Sequence, residues 1–477
     1  MKQIRARLAK SLPVVFILLA VISVGYWLFT DPTRDFVVSN PGKDSVNVNA
    51  AVSENIEIGA FFERKATETS SLSDTWTRFR GERSDNIKQA SVPLINGFGG
   101  KLPPVQWSID LGEGHSGAAI YKGEVFVLDY DETLKADVLL CYGLVSGKEL
   151  WKRWYKIQVK RNHGMSRTVP AVTEKYILTM GPRGQVMCLD RLTGDLRWSM
   201  DVVKQYESEI PLWYTGQCPL IVNDVAILAP GGNALLIGVD CATGSVLWET
   251  PNPDAWKMAH SSVMPYTFNG RNMFVYSAVG GVVGVAADGV DVGKVLWKSS
   301  EWNKSVVAPS PVCMPDGKIF LTAGYGAGSM LMQLTANKDG FSVKTIKTIK
   351  PGDGLSSEQQ TPILMDGLLF GVMPKDAKTM RNQLVCVEAS DPTKVVWTSS
   401  SEARFGLGPY MMADGKLFLL NDDATLYIFK KQAAEFKQLD KIQLFEGQDA
   451  WAPLAVADGY MVLRDSKKMI CIDLNQR

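Results

Sequence analysis

A hairpin that ends in tryptophan recurs along the chain about every fifty residues, and it limits the fold more than any other feature. One copy, VMCLDRLTGDLRW, runs from Val186 to Trp198. Apolar residues alternate with polar ones along its flanks, as in half-buried strands. Between the flanks, Asp190 can cap the turn with its carboxylate, and Gly194 can take the positive φ that a short hairpin loop requires. The segment therefore predicts two strands joined by a tight turn.

The spacing of the copies indicates the architecture. They end at Trp151, Trp198, Trp248, Trp297 and Trp397, with intervals of 47, 50, 49 and 100 residues. The last interval is twice the others, so one copy has lost its tryptophan, and Met330–Ile346 fits that place. A period near fifty with four short strands per unit predicts an all-β fold, a β-propeller of four-stranded antiparallel blades.

A second pattern marks the start of each unit and counts the blades. It is a small residue or proline followed by two apolar strands around a polar turn, and it begins at Ser116, Thr168, Cys218, Ser261, Ser310, Thr361, Gly408 and Ala452. Eight openings predict eight blades. The eighth unit ends at Met469–Leu474 without a fourth strand, which Val105–Leu111, carrying Trp107, can supply. We therefore expect the two ends of the ring to pair, leaving no free sheet edge.

The first thirty residues carry a membrane-targeting pattern. An uncharged stretch from Leu12 to Phe29 has about the length that spans a bilayer, follows four basic residues, and has Tyr26 and Trp27 near its end. We expect a signal-anchor that crosses a bacterial inner membrane once and leaves the propeller in the periplasm. A cleaved signal peptide is the alternative. Bulky residues stand where small ones would precede a cleavage site, which favours the anchor.

These patterns divide the chain into three parts. Residues 1–30 form a cytoplasmic tail and transmembrane anchor, residues 31–102 a spacer and lead-in segment with a short helix expected near Ile56–Arg64, and residues 103–477 the ring. The formal net charge of +1 lacks the excess of basic residues that a nucleic-acid surface needs, so we expect no nucleic-acid partner. The ring is expected to be monomeric.

The cysteines do not indicate a redox or haem site. Four of the seven, Cys141, Cys188, Cys386 and Cys471, occupy the same apolar strand of different repeats. Equivalent positions lie far apart around a ring, so these side chains predict small buried groups and not disulfide partners. The sequence contains no C-x-x-C pair and no C-x-x-C-H haem motif.

The repeat also resembles a known family. The D-x-x-[TS]-G-x-x-x-W hairpin, seen as Asp190, Thr193, Gly194, Trp198 and as Asp240, Thr243, Gly244, Trp248, resembles the repeat of the pyrroloquinoline-quinone-like (PQQ-like) propellers. The segment Trp76-x-Arg78-Phe79-Arg80-Gly81 resembles a lead-in common in a BamB-like branch of that family. The resemblance covers about Trp76 to Leu474.

The resemblance implies one of two functions. The first is a binding or scaffold module outside the cytoplasm, without catalysis. The alternative is a PQQ-dependent quinoprotein oxidoreductase acting on alcohols or sugars. Such enzymes use a calcium ion held by acidic and amide side chains, an aspartate base and commonly a disulfide between neighbouring cysteines. We do not find those residues in this sequence, so we expect no catalytic residue, no metal and no cofactor, and PQQ with calcium only under the alternative.

The repeat tryptophans and turn glycines predict packing between blades. Identical placement in successive units is what such packing demands, whereas a ligand would not contact every copy alike. The residues of this group are Trp107, Trp151, Trp198, Trp248, Trp297, Trp397, Gly147, Gly194, Gly244 and Gly293.

The loops ahead of the openings give the candidate binding site. Innermost strands start at the openings, so these loops should surround one mouth of the central channel. Their polar and aromatic residues are His115, His163, Arg167, Trp213, Tyr214, Gln217, Lys257 and His260. Such a funnel suits a protein, peptide or glycan partner. The alternatives are ordinary surface loops or a hydrolytic role, although no metal-ligand spacing or nucleophile–base pairing is visible.

Overall fold

The computed structural model describes residues 16–26, 56–338, 340–431 and 434–476. The chain has two compact units, residues 1–55 and 56–477. In the first unit, residues 16–26 form helix α1. Within the described residues, no helix has both the length and the apolar character needed to span a bilayer. The predicted anchor, Leu12–Phe29, begins and ends outside the described residues, so it stays a prediction.

The second unit is built from short strands, nearly all of them paired antiparallel. Those ahead of the first blade are β1 (Phe61–Arg64), β2 (Thr75–Trp76), β3 (Ile87–Lys88) and β4 (Val105–Asp110). Blades 1 to 4 contain β5 (Ala119–Tyr121), β6 (Glu124–Asp131), β7 (Ala136–Gly143), β8 (Glu149–Lys156); β9 (Ala171–Val172), β10 (Tyr176–Met180), β11 (Gln185–Asp190), β12 (Leu196–Asp201); β13 (Leu220–Val222), β14 (Val225–Leu228), β15 (Ala234–Asp240), β16 (Val246–Pro251); and β17 (Met264–Phe268), β18 (Arg271–Ala278), β19 (Gly281–Ala286), β20 (Val295–Ser299).

The other four blades follow in the same order. They contain β21 (Val312–Cys313), β22 (Lys318–Ala323), β23 (Gly328–Asn337), β24 (Gly340–Ile349); β25 (Ile363–Met365), β26 (Leu368–Val372), β27 (Leu384–Glu388), β28 (Asp391–Thr398); β29 (Tyr410–Ala413), β30 (Lys416–Leu420), β31 (Thr425–Lys430), β32 (Gln438–Gln443); and β33 (Ala455–Ala457), β34 (Tyr460–Arg464), β35 (Lys468–Asp473). A short helix α2 (Val202–Tyr206) follows β12, and a 3-10 turn (Lys378–Met380) follows β26. The prediction of eight four-stranded antiparallel blades is confirmed.

The turn chemistry of the repeat explains why each outer hairpin forms. In blade 2, Asp190 Oδ1 accepts hydrogen bonds from the backbone N–H groups of Leu192 and Thr193, both at 3.0 Å. Gly194 has φ +73°, in the left-handed region where a side chain is strained. Trp198 lies opposite Cys188, next to a β-bulge. The hairpin therefore follows from local residues alone.

Each turn glycine makes room for the tryptophan of the preceding blade. A Cβ atom on Gly147 would lie 2.5 Å from Trp107 Cγ, and one on Gly244 would lie 2.7 Å from Trp198 Cγ. A Cβ atom on Gly293 would lie 2.8 Å from Trp248 Cε3. One on Gly194 would lie 2.8 Å from Phe62 Cε2 and 3.3 Å from Trp151 Cδ2. Glycine at these positions thus serves both the turn and the contact between blades.

The ring closes through its two ends. Strand β4 pairs antiparallel with β35, and Trp107 lies opposite Cys471. Clusters of buried apolar residues join each blade to the next, from blades 1 and 2 through to blades 7, 8 and 1. The predicted closure is confirmed. All seven cysteines are free, and the four on the repeat strand are buried.

One expectation about the lead-in is wrong. The region near Ile56–Arg64 is not a helix: its last four residues form β1, a fifth strand on the outer edge of blade 1. Phe61 stacks on Trp154 of β8 with ring centroids 5.5 Å apart. Pairing with an open sheet edge satisfies the backbone groups that a short isolated helix would leave to water.

The rest of the lead-in crosses the central channel, and we name residues 75–88 the cross-channel segment. Strand β2 pairs with β5, the innermost strand of blade 1, and β3 pairs in parallel with β29, the innermost strand of blade 7. Between them, Arg78 Nη1 donates to Ile221 O of blade 3 at 3.2 Å. Arg80 Nη1 donates to Thr361 O, at the entry to blade 6, at 2.9 Å. Blades 3 and 7 stand opposite each other in a ring of eight, so the segment spans the channel.

Candidate functional site

A cavity of about 390 Å³ lies at one mouth of the channel. The loops that enter the innermost strands of all eight blades contribute to its wall, and Phe79 of the cross-channel segment contributes to its floor. The lining residues are Phe79, His115, His163, Arg167, Trp213, Gly216, Cys218, His260, Ser262, Val306, Ala308, Tyr325, Glu358, Gln359, Gln360, Lys375, Leu407, Trp451 and Pro453.

The structure brings together five of the eight residues that the sequence suggested for this mouth. His115, His163, Arg167, Trp213 and His260 line the cavity. All five come from the four consecutive loops that enter blades 1 to 4, so they approach from one side of the ring.

The other three point elsewhere. The Tyr214 hydroxyl donates to Lys160 O at 2.7 Å. Gln217 is fully buried and exchanges hydrogen bonds with the backbone of Ala229. Lys257 forms an exposed ion pair with Glu209 at 2.7 Å. Position in a loop ahead of an opening predicts the end of the ring at which a residue lies, but not the direction of its side chain.

Arg167 is the best-fixed polar group of the cavity. Its Nε donates to Trp213 O at 2.6 Å, and its Nη2 donates to Asn162 O at 3.1 Å and also to His163 O. Burial lowers the pKa of Arg167 to about 10, so the guanidinium is protonated at neutral pH. Backbone carbonyls therefore hold a cation at the cavity wall.

Aromatic rings form two walls of the cavity. The Trp213 ring lies between His260 and Tyr325, with centroids 6.2 and 5.8 Å away, and both pairs are stacked. His115 lies against Trp451 at 4.9 Å. Trp213 has φ +66°, a left-handed conformation that costs a non-glycine residue free energy and that the surrounding loop maintains.

The two most buried histidines are neutral bases at physiological pH. Burial, and then the nearby Arg167, lower the pKa of His260 to about 4. Burial, followed by Arg167 and Arg464, lowers the pKa of His115 to about 3. Backbone groups already take part of the hydrogen-bonding capacity of each ring, at Leu212 for His260 and at His163 and Asp449 for His115.

Several lining residues escaped the sequence analysis. Glu358, Gln360 and Trp451 stand just ahead of the Thr361 and Ala452 openings, so the same rule applied to every opening would have found them. Tyr325 and Lys375 lie in connections between the second and third strands of blades 5 and 6, for which the sequence offered no signal.

Comparisons with known proteins identify the kind of ring. A family model described as outer membrane protein assembly factor BamB matches residues 134–326. Among solved structures, europium-containing methanol dehydrogenase superposes with a TM-score of 0.56 and 12% identity, over 84% of this chain and 89% of that one. The ring is an eight-bladed β-propeller, and its residues 134–326 match that family model. The resemblance drawn from the repeats is thus confirmed.

Two further similar structures belong to proteins with different roles. The quinohemoprotein alcohol dehydrogenase from Comamonas testosteroni gives a TM-score of 0.55 at 12% identity, covering 84% of this chain and 81% of that one. BamB from Moraxella catarrhalis gives 0.50 at 12% identity, covering 78% and 100%. No curated protein sequence matches the chain. At these identities the likeness establishes the β-propeller fold and no activity.

The lining of the cavity does not fit the calcium ion that the quinoprotein alternative requires. Calcium takes six to eight oxygen ligands, largely carboxylates and amide carbonyls. The cavity offers one carboxylate, Glu358, and the Gln360 amide donates to Leu407 O and Trp451 O, both at 3.2 Å. Among the described residues, no three His, Cys, Asp or Glu side chains are grouped so as to hold a metal. The expectation that no cofactor binds stays a prediction.

Proposed function

We propose that this chain is a membrane-anchored binding or scaffold propeller that captures a segment of a protein, peptide or glycan in the cavity at its channel mouth. Residues 12–29 would anchor it in a bacterial inner membrane, with the ring in the periplasm. The observation that carries the proposal is a cavity to which all eight blades contribute and whose floor carries Phe79 of the cross-channel segment.

The rim of the mouth also suits a macromolecular partner. Leu212 and Tyr325, beside the cavity, are 60% and 63% exposed. Large exposed apolar side chains at the edge of a polar and aromatic pocket are common at binding sites. The loops begin and end on strands, so a partner would meet a surface that hardly rearranges.

Capture at the mouth can be tested in cells with the full-length chain. A photo-crosslinking amino acid at position 325 should yield a specific adduct. Replacing Arg167 and His260 together by alanine should reduce that adduct several-fold while the melting temperature stays nearly unchanged. Lys257→Ala, which removes a cation just outside the cavity, is the matched control. An adduct that survives the double replacement would contradict the proposal.

The quinoprotein alternative has support from the fold, because two of the similar structures are dehydrogenases. It makes a separate prediction. The purified chain should then bind PQQ stoichiometrically with calcium and reduce an artificial electron acceptor in the presence of an alcohol or sugar. Absorbance titration and a dye-linked assay would establish this function in place of the scaffold.

A further inference from the structure

Arg167 carries a charge that no acidic group of the described residues balances. The side chain donates hydrogen bonds only to backbone carbonyls, those of Trp213, Asn162, His163 and Gly164. It forms no ion pair with an Asp or Glu side chain of the described residues. Its Nη1 makes no hydrogen bond to any described residue. A half-buried guanidinium usually pairs with a carboxylate or phosphate, since removing a charge from water costs free energy unless it is paired. The hydrogen bonds of Nε and Nη2 hold the guanidinium in place, and Nη1 is available to donate to an anionic ligand.

His115 makes the second, independent observation in the same cavity. The residue is 5% exposed, and its Nδ1 has no hydrogen-bond partner among the described residues. Buried polar atoms are nearly always satisfied, and leaving one unpaired costs about 1–3 kcal/mol. Arg167 is close enough to His115 to influence its protonation. A ligand group that contacts both residues would satisfy both.

The surroundings select the kind of anion. Glu358 also lines the cavity, without an ion pair to any described residue, and Tyr325 lies within the electrostatic influence of both Glu358 and Arg167. Lys375, which also lines the cavity, lies within the electrostatic influence of Glu358 and offsets its charge. Arg167 then leaves about one net positive charge, which favours a monoanion over a doubly charged phosphate. A planar carboxylate also matches the planar guanidinium fork. At about 390 Å³ the cavity is near the lower end of small-ligand sites, so it admits the end of a chain but not a folded domain.

We propose that the cavity binds its ligand by a free carboxylate, which accepts hydrogen bonds from Arg167 Nη1 and from the His115 ring. An apolar or aromatic group next to that carboxylate packs against Trp213 and Trp451. The chain terminus of a peptide supplies this chemistry, and a sugar acid is the other source. This inference rests on the proposed function, because it takes the mouth cavity as the binding site.

The test uses calorimetric titration of the full-length chain in detergent with defined probes. Acetyl-Gly-Gly-Phe with a free carboxylate should bind, and its carboxyl-terminal amide should bind about tenfold more weakly or worse. Arg167→Met should cause a similar loss for the free acid, whereas Lys257→Met should cause none. Glucuronate compared with glucose tests the sugar-acid source, and inorganic phosphate should not compete.

The outcomes separate this inference from the proposed function. Glucuronate binding that depends on Arg167, without peptide binding, would support the carboxylate and assign it to a sugar acid. Equal binding of acid and amide, or no binding of either carboxylate at millimolar concentration, would overturn the carboxylate assignment. If the adduct at position 325 persists in that case, the mouth remains a binding site. If the adduct also survives alanine at positions 167 and 260, the proposed function fails too.

Discussion

Single side chains explain how the ring tolerates repeats that lack the signature residues. In blade 5, Lys347 takes the position of the tryptophan beside the bulge, and in blade 6, Thr393 stands four residues before Trp397, where other repeats have glycine. Lys347 Nζ donates to Thr393 Oγ1 at 2.9 Å. A hydrogen bond thus stands where the other repeats have the tryptophan–glycine contact.

The repeat tryptophans and the mouth tryptophan should differ sharply in their contribution to stability. Trp198 is 9% exposed and packs on the turn of blade 3, so Trp198→Ala should lower the free energy of unfolding by about 3–5 kcal/mol. Trp213 has a half-buried ring at the cavity, and Trp213→Ala should lower it by about 1 kcal/mol or less. Urea denaturation of both variants checks this. Similar losses at the two positions would be inconsistent with their places in the ring.

The buried carboxyl group of Asp137 should make the stability of the fold depend on pH. Burial raises the pKa of Asp137 to about 7, although its Oδ2 accepts a hydrogen bond from the Tyr155 hydroxyl at 2.8 Å. The folded state therefore holds a proton that the unfolded chain releases near pH 4. Asp137 therefore lowers the free energy of unfolding as pH rises from about 4 to about 7, by up to about 1.4 kcal/mol per pH unit.

Asp137→Asn removes that titration. The variant should gain stability relative to the wild type as pH rises through this window, as measured by urea denaturation at several pH values. His115 and His260 also make stability depend on pH, in the opposite direction, but they are present in both proteins. The difference between the two proteins therefore reports Asp137 alone. A difference between the two proteins that is constant from pH 4 to 7.5 would rule out a raised pKa.

Among strands and loops, the cross-channel segment is the element that most shapes the site. Arg80 is 5% exposed and donates to four backbone carbonyls, two of its own segment and two at the entry to blade 6. Phe79, its neighbour, lines the cavity. The cavity floor thus depends on residues whose hydrogen-bonding partners lie hundreds of positions away.

Loss of Arg80 should therefore weaken both the fold and the site. Arg80→Ala leaves these carbonyls without their donor and should lower the free energy of unfolding by at least about 2 kcal/mol. Hydrogen exchange should show faster exchange in residues 75–88 than in the blades. Arg83→Ala, which removes an exposed arginine paired with Asp85 at 3.0 Å, is the control and should cost about 0.5 kcal/mol or less. Unchanged exchange in the Arg80 variant would show that the segment is held by other contacts.

The sequence predicts some of these elements and not others, for a physical reason. The blades and their turns follow from local patterns, since Asp190 and Gly194 determine their hairpin without distant partners. Strands β1, β2 and β3 contain two to four residues each and form only because an open edge elsewhere accepts them. No local pattern in the sequence reveals that such an edge is open. The prediction of a helix near Ile56–Arg64 was therefore wrong. The position of a loop along the chain predicts that it lies at the mouth. It does not predict whether a side chain faces the cavity, and Gln217 is instead buried against Ala229.

For the ring as a whole, closure between β4 and β35 is the decisive contact. Deleting residues 103–112 removes β4 and should expose the edge of β35, which would cause aggregation or loss of a single cooperative melting transition. Deleting residues 61–64 removes β1, an added outer strand of four residues, and should leave the transition cooperative. Calorimetry and light scattering distinguish the cases. Parent-like melting without β4 would refute closure by this pair.

Because the ring closes between β4 and β35, it can be completed only after both strands have been synthesised. Strand β4 is synthesised before the strands of blades 1 to 7, and its partner β35 comes after all of them. Blade 8, and with it the apolar cluster that joins blades 7, 8 and 1, stays incomplete until β35 has been synthesised. Nascent chains with unpaired strands aggregate readily. A chain released before β35 is complete therefore has most of its blades but no closed ring, and the edge of β4 stays unpaired.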